Sequence, residues 1–305
     1  MLRKAGVNHL AAFLRQADVV LAEFAPLGSS LVRPCRIAKV PLVVHFHGYD
    51  AYERKALEKY QKDYEEMFRS SAAFVVVSKA MCEQVVRLGA PREKVHLNPC
   101  GVDVLRFSPT DAGRNPPSFL AMGRFVEKKA HHLTILAFER ALRQCPDMQL
   151  SLAGDGPLLD SCKQLVAALR LEKAVQFLGV ITPDNVPDTM QRFRAFVQHS
   201  VTAPSGDSEG SPVAVMEAGA SGLPVVSTNH AGIVESVKHG ETGLLCEELD
   251  IDSMANNMVL LARDPQLASR LGENARQRIQ TYFSMERSIQ NLHSILEASA
   301  KGPSS

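Results

Sequence analysis

Neither sign of charge is in excess in this chain. Its 34 lysines and arginines stand against 33 aspartates and glutamates, so no bulk pull toward nucleic acid or an anionic membrane is expected. Paired cysteines are missing too. Cys35, Cys82, Cys100, Cys145, Cys162 and Cys246 form no CxxC and no zinc spacing, which argues against a disulfide framework or a structural metal and suits a reducing compartment. No apolar run approaches the ~20 residues needed to cross a bilayer. Met1-Leu-Arg-Lys leads into a polar helix instead of the apolar core of a signal peptide. The expected setting is the cytoplasm, compatible with peripheral contact at the inner face of the membrane.

What is present is a long alternation of short apolar strands and helices. At 305 residues the chain is long enough for about two domains. Strands are expected at 17–24, 41–46, 73–77 and 95–98, then at 118–122, 149–153, 175–178, 195–198, 224–227 and 243–246, with helices between them. That order predicts parallel sheets covered on both faces, an α/β fold. A Pro- and Gly-rich stretch over 98–117, NPCGVDVLRFSPTDAGRNPP, reads as a linker. The division expected is 1–105, then 106–283, with 284–305 supplying a last helix, able to cross back to the first domain, and a tail.

The other segments are organised around 205–228, SGDSEGSPVAVMEAGASGLPVVST. Pro212 stands where a helix should begin and Gly222 where it should end. The backbone of Gly210, Ser211, Pro212 and Val213 therefore lies at a helix N-terminus, a ready anion site. Glu209 precedes it in a polar loop, and Glu217 sits about two turns deeper than Glu209, on the helix. Two carboxylates beside an anion site suit a ligand that carries both phosphate and hydroxyls.

Three further motifs follow strands, at the carboxyl ends where open α/β sheets hold ligands. The first is HFHGYD at 45–50, in which His45 and His47 share a strand face and Asp50 is expected to cap the following helix. The second is GRFVEKK at 123–129, with a guanidinium fork and mobile ammonium groups suited to phosphate. The third is AGDGP at 153–157, read as a tight turn before a helix capped by Asp155 or begun by Pro157.

Taken together, these strings resemble the retaining nucleotide-sugar glycosyltransferases of the GT-B architecture, family four, also called glycosyl transferases group 1. The signature is Glu209-x7-Glu217 with its PVAVMEAGASGLPVVST tail, and GRFVEKK lies ahead of it in the order that family uses. The resemblance implies two Rossmann-like doubly wound domains facing a cleft. It assigns Arg124 and Lys129 to the diphosphate, the backbone of Val180 in FLGVI to the base, and Glu217 to the ribose. It assigns Glu209 to the sugar hydroxyls and His47 to the donor sugar across the cleft, with Asn98 and Gly101-Val-Asp103 at a hinge. Lys128 is expected to face solvent, and Ala130 occupies a position where the family often has glycine.

The resemblance also implies reaction on the front face of the sugar, with no metal and no cofactor beyond a donor of UDP or GDP type. The acceptor would be a saccharide or a lipid-linked saccharide, with a lean toward exopolysaccharide enzymes of the colanic-acid type. Against the family pattern the first domain is incomplete, because the opening strands and their glycine loop are absent. A catalytically silent nucleotide-sugar-binding fragment is therefore an alternative, and a GT-B nucleotide-sugar epimerase is a weaker one.

Overall fold

The computed structural model describes residues 4–301. All ten expected strands form in it, in two wholly parallel sheets that belong to two compact units. The first unit holds the chain up to Cys100, the short segment Ser205–Ser211, and the chain from Glu286 onward; the second holds Gly101–Pro204 and Pro212–Met285.

In the first unit the strands are β1 (Val20–Glu23), β2 (Leu42–Phe46), β3 (Ala73–Val76) and β4 (Val95–Leu97), ordered β1-β2-β3-β4. Every residue of β2 and β3 is buried, which is why their sequences run apolar without polar alternation. One face packs Phe46 and Phe74 against Phe68 of the helix Arg54–Ser70, the Phe68 and Phe74 rings meeting edge to face at 5.2 Å. Burying each such ring contributes about 1.5–3 kcal/mol. The other face, Val43, Ala73 and Val75, is covered by Leu292, Ile295 and Leu296. Those three sit at one-turn spacing on the helix Met285–Lys301, so a single apolar stripe does the covering.

The second unit carries β5 (Ser118–Met122), β6 (Gln149–Ala153), β7 (Val175–Gly179), β8 (Ala195–Gln198), β9 (Val225–Thr228) and β10 (Gly243–Cys246). Their order is β10-β9-β8-β5-β6-β7. Counted from the unit's own first strand this is the doubly wound 3-2-1-4-5-6 arrangement, and the winding reverses between β5 and β8. Ligands of such sheets sit outside the carboxyl ends at that reversal. The helix Val213–Ala220 packs beside it and closes as its sequence foretells. Gly222 takes a left-handed φ of 83°, and Leu223 N donates to Ala218 O at 3.0 Å. A Cβ on Gly222 would meet Thr110 O at 2.8 Å, so the stop needs glycine on two counts.

Among the described residues no helix is long and apolar enough to cross a membrane.

Candidate active site

In the second unit, the turn after β5 carries Gly123 and Arg124, then a single 3-10 turn over Glu127–Lys129. Ala130 follows in the left-handed region, at φ 42° and ψ 45°, and leads into the helix His131–Gln144. That conformation costs an L-residue roughly 1–2 kcal/mol, which explains why glycine suits the position. The turn brings Lys129 Nζ to 3.3 Å from Gln198 Oε1, at the end of β8. Lys129 thus reaches across the place where the winding reverses. Behind it, His131 is buried against the Phe125 ring at 4.2 Å, and burial pushes its pKa down to about 4. Its imidazole is neutral and serves packing.

Arg124 and Val180 line one pocket of about 370 Å³ with Gly123, Gly154, Asp155 and Ile181, at the carboxyl ends of β5, β6 and β7. Gly154 has φ +133°, and a Cβ there would run into Gly123 O. Only glycine lets the turn after β6 close on the turn after β5. Asp155 takes a different part from the expected one. The next helix starts at Leu159 with no side-chain cap, whereas the Asp155 carboxylate accepts from Gly156 N at 2.7 Å and its carbonyl from Phe125 N at 2.9 Å. It ties the two turns together, and Pro157 also falls short of the helix start. Val180 is 71% exposed, leaving its main chain accessible. Lys129 and Glu217 lie outside this pocket's lining.

Pro212 precedes the helix Val213–Ala220, and its carbonyl accepts from Val215 N at 3.0 Å and Met216 N at 3.2 Å. The amides of Val213 and Ala214, ahead of these, have no acceptor within the helix. Glu217 is partly buried one turn further, and burial raises its pKa against the opposing charge of Arg106.

The first unit holds the other predicted pair. Glu209 is 5% exposed, within the segment Ser205–Ser211. Ser205 O accepts from Arg54 N at 2.9 Å, and a Cβ on Gly206 would lie 2.6 Å from Tyr52 O. A Cβ on Gly210 would strike the carbonyl of His47 itself. Glycines thus let the loop around Glu209 lie directly on the HFHGYD turn.

Asp50 holds that turn, and this corrects its expected part. It is fully buried, and Oδ1 accepts from His47 N at 3.1 Å and Gly48 N at 2.9 Å, while Oδ2 accepts from Ala25 N at 3.0 Å. The carboxylate therefore caps the preceding helix, Ala25–Ala38, whose N-cap residue Phe24 offers no side-chain acceptor. The short helix Tyr49–Tyr52, in which Asp50 itself lies, has no side-chain cap.

Around His47 the structure gathers residues that sequence reasoning missed. Glu23 Oε2 bonds His47 Nε2 and lies 3.2 Å from His45 Nδ1, and the two imidazole rings are 4.1 Å apart. The Cys100 thiol lies beside the His47 ring. Burial disfavours the charged His47 ring, but Cys100 and Glu23 outweigh it and raise its pKa. His45 goes the other way, to about 4, through burial and the neighbouring charge of His47, with Glu23 opposing. The sequence shows no metal-ligand spacing here because the cluster is made by strand register. Glu23 on β1 is the direct partner of His45 on β2.

A larger cavity of about 920 Å³ lies at the opposite, amino-terminal ends of β2 and β3, beside Leu42 and Ala73. Parallel sheets hold ligands at their carboxyl ends, so the smaller pocket beside Arg124 is the better candidate for the donor.

Known proteins resemble this chain in sequence and fold. Residues 107–278 match the family model described as Glycosyl transferases group 1, and residues 2–106 match Glycosyltransferase Family 4. The WcaL protein of Escherichia coli strain K12, a glycosyltransferase assigned to colanic acid biosynthesis, is 31% identical over 288 residues, covering 93% of this chain and 71% of its own. The amylovoran biosynthesis glycosyltransferase AmsK of Erwinia amylovora is 30% identical over 285 residues, covering 92% and 70%. Among solved structures, Anabaena HepE in complex with UDP and glucose superposes with a TM-score of 0.82 at 22% identity, covering 96% of this chain and 81% of that one. Two parallel α/β sheets, of which the second is doubly wound, a family model spanning more than half the chain, and relatives at this identity over most of it lead to one conclusion: the chain is a GT-B protein and belongs to the glycosyl transferases group 1 family.

Proposed function

We propose that the chain is a retaining, metal-independent glycosyltransferase. It moves a hexose from a UDP- or GDP-sugar to a saccharide or lipid-linked acceptor in polysaccharide assembly, at the cytoplasmic face of a membrane or free in the cytoplasm. The observation that carries the reading is the link from Lys129 to Gln198 across the β5–β8 reversal, beside the pocket that Arg124 lines. That is where a doubly wound sheet binds a phosphorylated ligand, and one rigid fork with one mobile ammonium suits a diphosphate.

The reaction breaks the bond between an anomeric carbon and the diphosphate. Negative charge grows on the departing oxygens, where Arg124, Lys129 and the first-turn amides around Val213 would meet it. Such preorganised charge usually contributes more to catalysis than any other single effect. Positive charge grows on the sugar ring, where Glu209 and His47 act, with Gly210 fixing the distance between their loops. Glu217 holds the ribose hydroxyls and the Val180 main chain the base. The acceptor attacks on the face the phosphate leaves, with a phosphate oxygen taking its proton, so configuration is retained without a carboxylate nucleophile. Colanic acid and amylovoran assembly by WcaL and AmsK support the polysaccharide setting, and the HepE complex supports a UDP-sugar.

The test is incubation with UDP- and GDP-sugars, with and without a panel of oligosaccharide and lipid-linked acceptors, following nucleotide release. Acceptor-dependent release is expected. Donor binding without release under any acceptor would favour a silent nucleotide-sugar-binding chain.

A further inference from the structure

Between Glu23, the last residue of β1, and the helix Ala25–Ala38 stands a single residue, Phe24. Its N donates to His45 O at 2.8 Å, closing the pairing with β2, and its carbonyl accepts from Leu27 N at 3.1 Å and Gly28 N at 3.0 Å, opening the helix. Turning strand into helix within one residue sets φ at 72° and ψ at 135°. Glycine takes a positive φ freely, whereas for a bulky side chain it is a genuine outlier.

Burial does not offset that strain. Phe24 is 38% exposed, and Tyr49, the ring beside it, is 42% exposed. A single exposed aromatic is ordinary. Here two meet at 5.5 Å between centroids, tilted by 36°, and Phe24 rests against the His47 ring at 4.6 Å. Leu27, also exposed, extends the apolar strip by one helical turn. The fully buried Asp50 carboxylate fixes the backbone under both rings: it accepts from Ala25 N, next to Phe24, and from Gly48 N, next to Tyr49. Strained residues over-determined by their surroundings gather at ligand clamps. Alongside, Glu23 gives Oε2 to both imidazoles, and its half-exposed carboxylate keeps Oε1 outside those contacts.

From this juxtaposition we infer that Phe24 and Tyr49 form a stacking platform for the acceptor saccharide, with Glu23 Oε1 accepting from its hydroxyls. A pyranose presents weakly positive C–H groups on one face and hydroxyls around its edge. The first match the negative face of an aromatic ring, and the second match a carboxylate oxygen. The strip itself, two rings and a leucine, offers no cation to a phosphate. The inference rests on the glycosyltransferase reading, which gives the diphosphate and base to Arg124, Lys129 and Val180 in the second unit and the sugars to residues of the first. His47 keeps its place at the donor sugar, and an acceptor has to lie beside that sugar to attack it.

The experiment is saturation-transfer NMR on the full chain, irradiating aromatic protons and observing the C–H protons of added saccharides. The panel is the methyl glycosides of glucose, galactose and mannose, then maltose, cellobiose and lactose, with and without UDP. The expected result is transfer to the C–H protons of one sugar face for at least one member. Phe24→Gly, which removes ring and strain together, and Tyr49→Ala should each weaken that saccharide about 10-fold. Phe24→Tyr, which keeps the ring face, should retain most of the binding. Melting temperature checks folding, and Tyr49→Ala, which removes an exposed ring, serves where Phe24→Gly unfolds the chain. In turnover assays the same variants should raise the acceptor KM and leave the donor KM unchanged. No transfer to any saccharide of the panel, transfer undiminished in the folded variants, or a raised donor KM beside an unchanged acceptor KM overturns the platform. Calorimetry with UDP and GDP keeps the two claims apart: a native chain that binds saccharide through these rings but neither nucleotide refutes the glycosyltransferase reading and leaves the saccharide site standing.

Discussion

The two units bring their candidate residues together by opposite means. In the second, the candidate residues come from contiguous turns: Arg124 and Lys129 lie within one seven-residue string, and the topology of the sheet puts that string where the winding reverses. In the first, the candidate residues come together from pieces far apart in the chain. Glu23 meets His45 because two strands pair in register, Asp50 reaches back to Ala25, and a glycine from 205–211 presses on His47. A binding turn can be built from local rules; a polar cluster around a reacting group requires long-range packing.

Substitutions can break or sharpen that contrast. The largest effect is expected at Glu209. Glu209→Ala should cut turnover about 100- to 1,000-fold, the usual cost of removing one preorganised group from a developing charge, while leaving nucleotide affinity within about threefold by calorimetry. A turnover number near that of the native chain would remove Glu209 from the reacting centre.

Next in size is Asp50→Ala, which strands two buried backbone donors and one partly buried one. Bonds to a charged acceptor are each worth about 1.5–3 kcal/mol, so a loss of about 3 kcal/mol or more in denaturant unfolding is expected. A loss below about 1 kcal/mol would mean the turn holds itself. Lys129→Ala should weaken UDP or GDP binding about 10- to 100-fold with little change in melting temperature, since its ammonium meets the side-chain amide of Gln198 at 3.3 Å. The contrast between the units predicts this separation of stability from binding on the second unit and their coupling on the first.

The smallest effect is at Glu217. Burial raises its folded pKa above the unfolded value. A carboxyl raised in this way favours the native state below its unfolded pKa, and that advantage is lost as pH rises through the folded pKa. At neutral pH the ionised form sits less well in the fold than in the open chain. Glu217→Gln should therefore raise the melting temperature of the ligand-free protein at pH 7, with the gain shrinking as pH falls through the unfolded value, while nucleotide binding weakens about five- to tenfold. A lowered melting temperature at pH 7 would contradict the assignment.

What the sequence makes legible follows from the same contrast. The strands, the Pro212 and Gly222 boundaries and the α/β class can be read because apolar runs and Pro–Gly punctuation are local signals. The resemblance carries the family. Sequence alone puts Asp50 on the wrong helix, because its partner Ala25 lies on another element, whose start is marked by no capping residue. It misplaces Asp155 because a tight turn and a cap use the same residue types, and only the approach of the Phe125 backbone tells them apart. Glu23 and Cys100 escape it for a plainer reason. Nothing in their own neighbourhoods distinguishes them, and only the pairing of β1 with β2 and the exit from β4 bring them to His47. Ala130 stands out in sequence only as a departure from a frequent glycine, and its left-handed backbone supplies the reason.

The central claim is that the reversal between β5 and β8 is a nucleotide-diphosphate site. Calorimetric titration of UDP and of GDP into the native chain and into Arg124→Ala tests it most directly. One site per chain is predicted for at least one of the two nucleotides, weakened about 10- to 100-fold when the guanidinium is removed. Binding of neither nucleotide, or an affinity unchanged by Arg124→Ala, would contradict it.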